Sequence, residues 1–218
     1  MGWLLKAVGI FLVAGFPSAQ IVVQARSPTA PAATPATSTP AAPAPAAGDE
    51  SRESKPSIAA MQVGDRLPPL AGEFLTGRKA VLPDVARGKV VFVAMGFSYG
   101  SRFAVEEWAK WFRDSFSGLR DVTFFEVPMI GGMARMGRWF IDSGMRKGTP
   151  AELHENVITV YGGTGDWKKR MGYRDEKASY LLILDKEGIV RWRYSGAYDE
   201  EAAREVEQVV RSLSDPIS

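Results

Sequence analysis

The stretch from Lys89 to Phe116 constrains the fold more strongly than any other part of this chain. It opens with an uninterrupted apolar run, Val90 to Met95, whose β-branched residues predict a strand buried on both faces. After a short turn, the apolar residues Phe103, Val105, Trp108, Trp111 and Phe112, with charged residues between them, follow the period of an amphipathic helix. A strand, a turn and a helix form half of a βαβ unit, and in open α/β sheets binding and catalysis take place beyond such a strand. The turn from Ser98 to Ser101 is therefore the first candidate site.

Composition excludes several kinds of chemistry. The 218 residues include no cysteine and a single histidine, His154. Without cysteine the chain cannot exchange disulfides, supply a thiolate nucleophile or hold a thiol-based metal centre. One histidine leaves little acid–base or metal chemistry, and a formal net charge of +2 provides no strong field for nucleic acid. We therefore predict no cofactor, no metal site and no nucleic-acid partner.

Residues 1–25 have the pattern of a secretory leader, with Lys6, a short apolar stretch and then small residues around Pro17. We predict either a signal peptide or an uncleaved N-terminal membrane anchor that would tether the chain. The apolar run is shorter than the roughly 20 residues that a spanning helix needs, which favours cleavage. In both cases the remainder would be exported, either to the periplasm or to the extracytoplasmic face of the membrane.

Residues 26–56 consist mostly of Ala, Pro, Thr and Ser, followed by a short charged patch. They show no hydrophobic period, and Pro alternating with Ala favours an extended, semi-rigid spacer. We predict a disordered linker here and one folded domain over residues 57–218.

Hydrophobic patterns in that domain predict an alternation of strands and helices. A short antiparallel pair is expected ahead of Val90, and Pro128 is expected to end the second core strand. The other predicted elements are strands at Val122–Val127, Val157–Tyr161, Tyr180–Leu184 and Ile189–Tyr194, and helices at Gly131–Lys147, Asp166–Met171 (capped by Gly172) and Asp199–Leu213.

The predicted helix at Gly131–Lys147 is locally basic, with Arg135, Arg138, Arg146 and Lys147. Two interpretations are open. It is a surface helix with a solvated cationic face, or it is a partner-docking helix, because its methionine and aromatic residues adapt to varied surfaces.

The order of elements is similar to the thioredoxin fold. A Gly-Lys-Val-Val start to the main strand, Phe97 before the turn and a hairpin over Leu182–Arg191 resemble thioredoxin-like periplasmic proteins and peroxiredoxins. The resemblance implies an α/β fold, with a central mixed β-sheet flanked by helices and an inserted helix after the second core strand. It places Ser98 and Ser101 at the two positions of the redox Cys-x-x-Cys, and Ser179 at that of the cis-proline. Serine cannot cycle through a disulfide, so the redox activity is not implied.

A narrower resemblance, to the mitochondrial ATP-synthase assembly-factor family, rests on Glu126–Ile130, Gly144–Arg146, Val190–Gly196 and the inserted helix. Members of that family are thioredoxin-like chaperones without a redox cysteine pair that help a membrane-embedded subunit join the rotor ring. The resemblance implies a non-redox assembly factor, or chaperone-like binding protein, for a membrane-associated complex. The family works in the matrix, which corresponds to the bacterial cytoplasm, whereas an exported domain would face the opposite side of the membrane.

The thioredoxin-like arrangement brings the turn, the end of the second strand and the hairpin together, so we expect a surface for a protein client there. Phe97, Tyr99, Met129 and Trp192 are predicted to be its exposed apolar contacts. The full predicted set of partner-binding residues is Phe97, Tyr99, Arg102, Met129, Arg135, Arg138, Arg191 and Trp192.

The alternative is a relative of the thioredoxin-like and peroxiredoxin oxidoreductases that keeps a cysteine-independent enzymatic or ligand-binding role. A serine nucleophile needs an aligned base, and His154 is expected to be an exposed loop residue. Ser98 and Ser101 are instead expected to satisfy backbone donors at the N-terminus of a helix. We therefore predict no catalytic residue and no enzyme activity.

Overall fold

The computed structural model describes residues 58–132 and 137–214 of the chain. The predicted signal peptide or anchor at 1–25, the predicted linker at 26–56 and Arg135 lie outside the described residues, and these assignments stay predictions. Within the described ranges, no helix is long and apolar enough to cross a membrane.

The described residues form seven strands and four α-helices. The strands are β1 (Leu70–Phe74), β2 (Lys79–Leu82), β3 (Val90–Gly96), β4 (Val122–Ile130), β5 (Ile158–Tyr161), β6 (Ser179–Leu184) and β7 (Val190–Gly196). The helices are α1 (Arg102–Phe116), α2 (Arg138–Gly148), α3 (Thr164–Met171) and α4 (Glu200–Leu213).

The strands build one mixed sheet in the order β2-β1-β5-β4-β3-β6-β7. Strand β4 runs parallel to both β3 and β5, whereas every other pair is antiparallel. The carboxyl ends of β3, β4 and β5 therefore meet at one edge of the sheet. Two parts of the chain that the sequence analysis singled out begin at this edge: the serine turn, which follows β3, and the segment between β4 and α2. The predicted α/β fold with a central mixed sheet, and the antiparallel pair ahead of β3, are confirmed.

Strand β3 is the centre of the core, and all seven of its residues are buried. Val91, Val93 and Met95 face one hydrophobic cluster, while Val90 and Phe92 face the other. Both faces of the sheet are covered, because α1 and α4 pack on the Phe92 side and α3 packs on the Val91 side. Burial of β3 on both faces is the physical reason why the apolar run in the sequence is continuous.

Two predicted boundaries were wrong. Pro128 does not end β4, which continues to Ile130. Gly96, the last residue of β3, pairs with Pro128, and β5 pairs with Met129 and Ile130. On the other side of β4 the pairing is interrupted at the proline, which has no N–H to donate, and resumes only at Met129 opposite Val160. The helix predicted from Gly131 begins at Arg138. The positive φ of 61° at Gly132 is incompatible with a regular right-handed helix from that point.

Candidate partner-binding site

The serine turn after β3 is closed by hydrogen bonds between its own two serines. The Ser98 hydroxyl accepts from the Ser101 backbone N–H at 3.1 Å, and the Ser101 hydroxyl accepts from the Ser98 N–H at 3.3 Å. Each hydroxyl also donates: Ser101 Oγ to the Ser98 carbonyl at 2.8 Å, and Ser98 Oγ to the Glu176 carbonyl. The serines thus satisfy backbone donors inside the turn rather than those of the first turn of α1, which they were expected to cap.

Ser101 is also enclosed by the end of β3. Its side chain is fully buried, and a Cβ atom on Gly96 would lie 2.7 Å from Ser101 Oγ. Glycine is therefore required at position 96 for the turn to fold back this tightly. The arrangement leaves the Ser101 hydroxyl no open path to a substrate.

The loop before β6 packs against Phe97, the residue that precedes the serine turn. Phe97 lies edge-on to Tyr173 and Tyr180, with ring centroids 5.5 and 5.4 Å away. The Tyr180 hydroxyl holds the loop, because it accepts from the Arg174 and Asp175 N–H groups and donates to the Asp175 carbonyl, all within 3.0 Å. The predicted exposure of Phe97 was therefore wrong, since the ring fills the space between the turn and this loop.

Two other predicted contacts are also buried. Met129 has 4% of its surface exposed and belongs to the same core cluster as Val160. Trp192 has 8% exposed, and its indole N–H donates to Glu205 at 2.8 Å. Their expected exposure was wrong because each points from its strand into a face of the sheet that helices cover. Ser179, at the position of the cis-proline, is buried, and its hydroxyl donates to the Gly196 carbonyl at 2.6 Å.

Three neighbouring side chains remain exposed and form what we call the turn surface: Tyr99, Arg102 and Phe103. Tyr99 and Phe103 are 77% and 62% exposed. The Arg102 guanidinium lies 5.3 Å from the Tyr99 ring and 5.2 Å from the Phe103 ring, and it pairs with Glu106 at 3.0 Å. Phe103 was missed because the helical period placed it with the core residues of α1, whereas the buried positions begin at Ala104.

Arg138, predicted to bind a partner, instead attaches α2 to the sheet. It pairs with Glu73 at 2.5 Å and with Asp142 at 3.4 Å, and it lies 4.7 Å over the Tyr161 ring. The Tyr161 hydroxyl donates to Asp142 at 2.6 Å. Burial and, after it, this hydrogen bond to the Asp142 carboxylate raise the pKa of Tyr161, which keeps the hydroxyl protonated and able to donate.

We predict that Asp142→Ala releases α2 from the sheet. The change leaves the half-buried Tyr161 hydroxyl and Arg138 without their shared acceptor, at a cost of about 1–3 kcal/mol to the local structure. Hydrogen exchange of the α2 amides should become faster, while exchange in β3 stays slow. The matched control is Asp114→Ala, which removes an exposed acid that pairs with Lys110 on α1. Unchanged exchange in α2 would show that Asp142 does not hold it.

Arg191 is likewise engaged within the protein. Its guanidinium contacts the buried Asp185 at 2.6 and 2.7 Å, and the same carboxylate accepts from the Glu187 and Ile189 N–H groups. Burial raises the pKa of Asp185, but the hydrogen bonds from Ile189, Arg191 and Glu187 outweigh it and hold the pKa below its ordinary value. The pair of Asp185 and Glu187 is thus the turn of the β6–β7 hairpin, as predicted.

His154 does not serve as a base for the serines. Its Nε2 contacts the Arg146 and Thr149 carbonyls at 3.3 and 3.0 Å, at the C-terminal end of α2. His154 lies in a loop, as predicted, but its side chain is half-buried and its expected exposure was wrong. The Ser98 hydroxyl meanwhile donates to a backbone carbonyl, so the two side chains do not form the bonded nucleophile and base that acyl transfer needs.

Comparison with known proteins identifies the chain. The sequence model of the ATP10 protein family matches residues 65–213. The chain belongs to the ATP10 family. The match spans the domain from the residues ahead of β1 to the end of α4, and the resemblance to ATP-synthase assembly factors inferred from the motifs is confirmed. No curated protein matches the sequence.

Solved structures similar to this ATP10 family member show the thioredoxin-like fold. A structure described as thiol:disulfide interchange protein DsbE from Chlorobium tepidum has a TM-score of 0.50 and 18% identity, covering 71% of this chain and 100% of its own. The C-terminal domain of a thiol-disulfide oxidoreductase from Bacteroides thetaiotaomicron has a TM-score of 0.50 at 13% identity, covering 69% of this chain and 97% of its own. An uncharacterized conserved protein from Geobacillus kaustophilus has a TM-score of 0.50 at 16% identity, with coverages of 72% and 87%.

Proposed function

We propose that this protein is a non-redox assembly factor that binds a membrane-associated protein client through the turn surface. Membership of the ATP10 family over residues 65–213 is the observation that carries the proposal. The membrane sector of an ATP synthase is the first candidate client, and an exported domain would bind it from the extracytoplasmic side.

The chemistry of the turn favours binding over catalysis. The chain has no cysteine, and both serine hydroxyls are engaged in hydrogen bonds as donor and acceptor. At the position where relatives of this fold exchange disulfides, a closed turn instead supports the exposed rings of Tyr99 and Phe103 with a guanidinium between them. Aromatic and arginine side chains dominate the binding energy of many protein interfaces.

Affinity capture from detergent-solubilised membranes tests this proposal. We expect the tagged full-length chain to recover subunits of one membrane complex, and the Tyr99→Asp/Phe103→Asp variant to recover at least about tenfold less, because each buried aromatic contact contributes on the order of 1.4 kcal/mol or more. The turn serines and core are unchanged in this variant, so the domain should still fold.

The matched control is Val63→Asp, which places a charge at another exposed apolar residue, one with 57% of its surface accessible. Equal recovery by all three proteins would show that the turn surface does not bind the client. Capture of no membrane-complex subunit, even with gentle crosslinking, would contradict the assembly-factor proposal itself.

A further inference from the structure

Helix α2 is unusual because its two aromatic residues face solvent, while Asp142 and the half-buried Ile141 and Met145 lie on the side toward the protein. Polar contacts help to attach it: Arg138 pairs with Glu73, and the Tyr161 hydroxyl donates to Asp142. Asp142 is the one buried residue of the helix. A surface helix normally buries an apolar stripe and exposes its charges. Among the residues that the structure describes, none covers the two aromatic side chains on the outer face of α2.

Two adjacent aromatic residues occupy that outer face. Trp139 and Phe140 are 69% and 74% exposed, and their ring centroids lie 4.8 Å apart at an interplanar angle of 78°. Together they are an exposed apolar patch held on a helix, which is typical of an interaction site.

The charges of α2 on this side are cationic. Asp142 is the only acidic residue of the helix, and it is 9% exposed and bonded inward to Tyr161 and Arg138. Lys147, in the last turn, is exposed, and Arg146 beside it is also exposed while its Nη1 donates to the Leu75 carbonyl at 3.3 Å. Seven residues after Phe140, Lys147 lies two helical turns further along the same face.

We propose that the outer face of α2 lies in the interface of a membrane that contains anionic lipids. Tryptophan and phenylalanine place an apolar ring below the headgroups, and the cations at the end of the helix pair with anionic headgroups. Charge complementarity favours this occupant over an apolar protein segment, which would leave Lys147 unpaired. Tyr161, which donates to α2 from the end of β5, and the serine turn after β3 lie at the same edge of the sheet, so membrane contact orients that edge relative to the bilayer. The proposal does not depend on the identity of the client.

The absence of native cysteine allows a direct measurement of membrane depth. Gly144 lies on α2, is exposed, and has open space where a Cβ would be, so Gly144→Cys accepts a nitroxide label while both aromatic residues are kept. Gly118, after α1, is also exposed with open space and provides the control site Gly118→Cys. The full-length chain is used, because the label reports its own depth even if the N-terminal segment also binds lipid.

With vesicles of phosphatidylcholine and phosphatidylglycerol, we expect the label at 144 to lose accessibility to a water-soluble nickel complex and to gain accessibility to oxygen. The label at 118 should stay accessible to the nickel complex. Neutral phosphatidylcholine vesicles, or the Arg146→Glu/Lys147→Glu change, should weaken the effect, and Trp139→Ala/Phe140→Ala should abolish it.

Three outcomes would overturn the proposal. In the first, the label at 144 stays accessible to water in the presence of anionic vesicles. In the second, the label enters lipid to the same extent in the Trp139→Ala/Phe140→Ala variant. In the third, it is already shielded without vesicles, which indicates that protein and not lipid covers α2. None of these affects client capture through the turn surface, so this proposal and the assembly-factor proposal fail separately.

Discussion

Replacing Trp108 with alanine is expected to lower the free energy of unfolding by about 3–5 kcal/mol, the largest change that we predict for a single residue. The side chain is fully buried among aromatic residues of α1, β7 and the loop that follows β7. Its ring centroid lies 5.0 Å from that of Tyr198, 5.5 Å from Trp111 and 5.7 Å from Tyr194. Alanine would leave a cavity that the rigid sheet cannot close. Urea unfolding followed by circular dichroism measures the change.

Trp108→Phe separates the packing of the ring from its polar atom. The indole Nε1 of Trp108 is buried and has no hydrogen-bond partner within the part of the chain that the structure describes. Phenylalanine keeps an aromatic ring and removes this unpaired donor, so its cost should be less than half that of alanine. The exposed Trp139→Ala is the matched control and should stay within about 0.5 kcal/mol of the parent. Equal losses for alanine and phenylalanine would contradict the expectation that packing of an aromatic ring supplies most of the stabilisation at this site.

Glu126→Gln is expected to stabilise the protein at neutral and alkaline pH. Glu126 lies on β4, and burial, followed by the nearby charge of Glu106, raises its pKa from 4.5 to about 7 despite the opposing charge of Arg113. In the unfolded chain the carboxyl loses its proton near the ordinary value. Between about pH 4.5 and pH 7 the folded state therefore holds more protons than the unfolded state.

Stability consequently falls as the pH rises through this window and stays lower above it, by up to about 3 kcal/mol. Glutamine is neutral at every pH and removes this loss. We expect the variant to be more stable than the parent at pH 8 by up to that amount, and by less than about 1 kcal/mol at pH 5, where most of the loss has not yet occurred.

Urea unfolding of both proteins at several pH values from 5 to 8 provides the measurement. The matched control is Glu107→Gln, which removes one charge from the exposed face of α1. A gain from Glu126→Gln that is the same at pH 5 and pH 8 would show that the effect is not due to the titration of this carboxyl.

Local sequence patterns were sufficient for the elements that carry strong periodicity. The run from Val90 to Met95 predicted a strand buried on both faces, and β3 is that strand. Gly172 was predicted to cap a short helix, and it ends α3 in the left-handed conformation with a φ of 66°. These features depend on residues that are adjacent in the chain, which explains why they could be predicted.

The candidate site was predicted less completely, because exposure depends on which elements cover a residue. Phe97, Met129 and Trp192 were expected to be exposed, but a loop and two layers of helices cover them. Phe103 and Trp139 were not among the predicted contacts, yet both are exposed. A period of 3.6 indicates that a helix has an apolar face, but it does not indicate whether that face meets the protein.

The sequence by itself determined the thioredoxin-like order of elements, the loss of thiol chemistry and the position of the serine turn. Each follows from residue identity or from local spacing. Only the tertiary structure decided that the Ser98 hydroxyl donates to the Glu176 carbonyl, and that Arg138 and Asp142 attach α2 to Glu73 and Tyr161. The partners in these contacts include Glu73, Tyr161 and Glu176, which are distant in the chain. Contacts between residues so far apart depend on the order of the strands in the sheet, and a local sequence pattern cannot predict them.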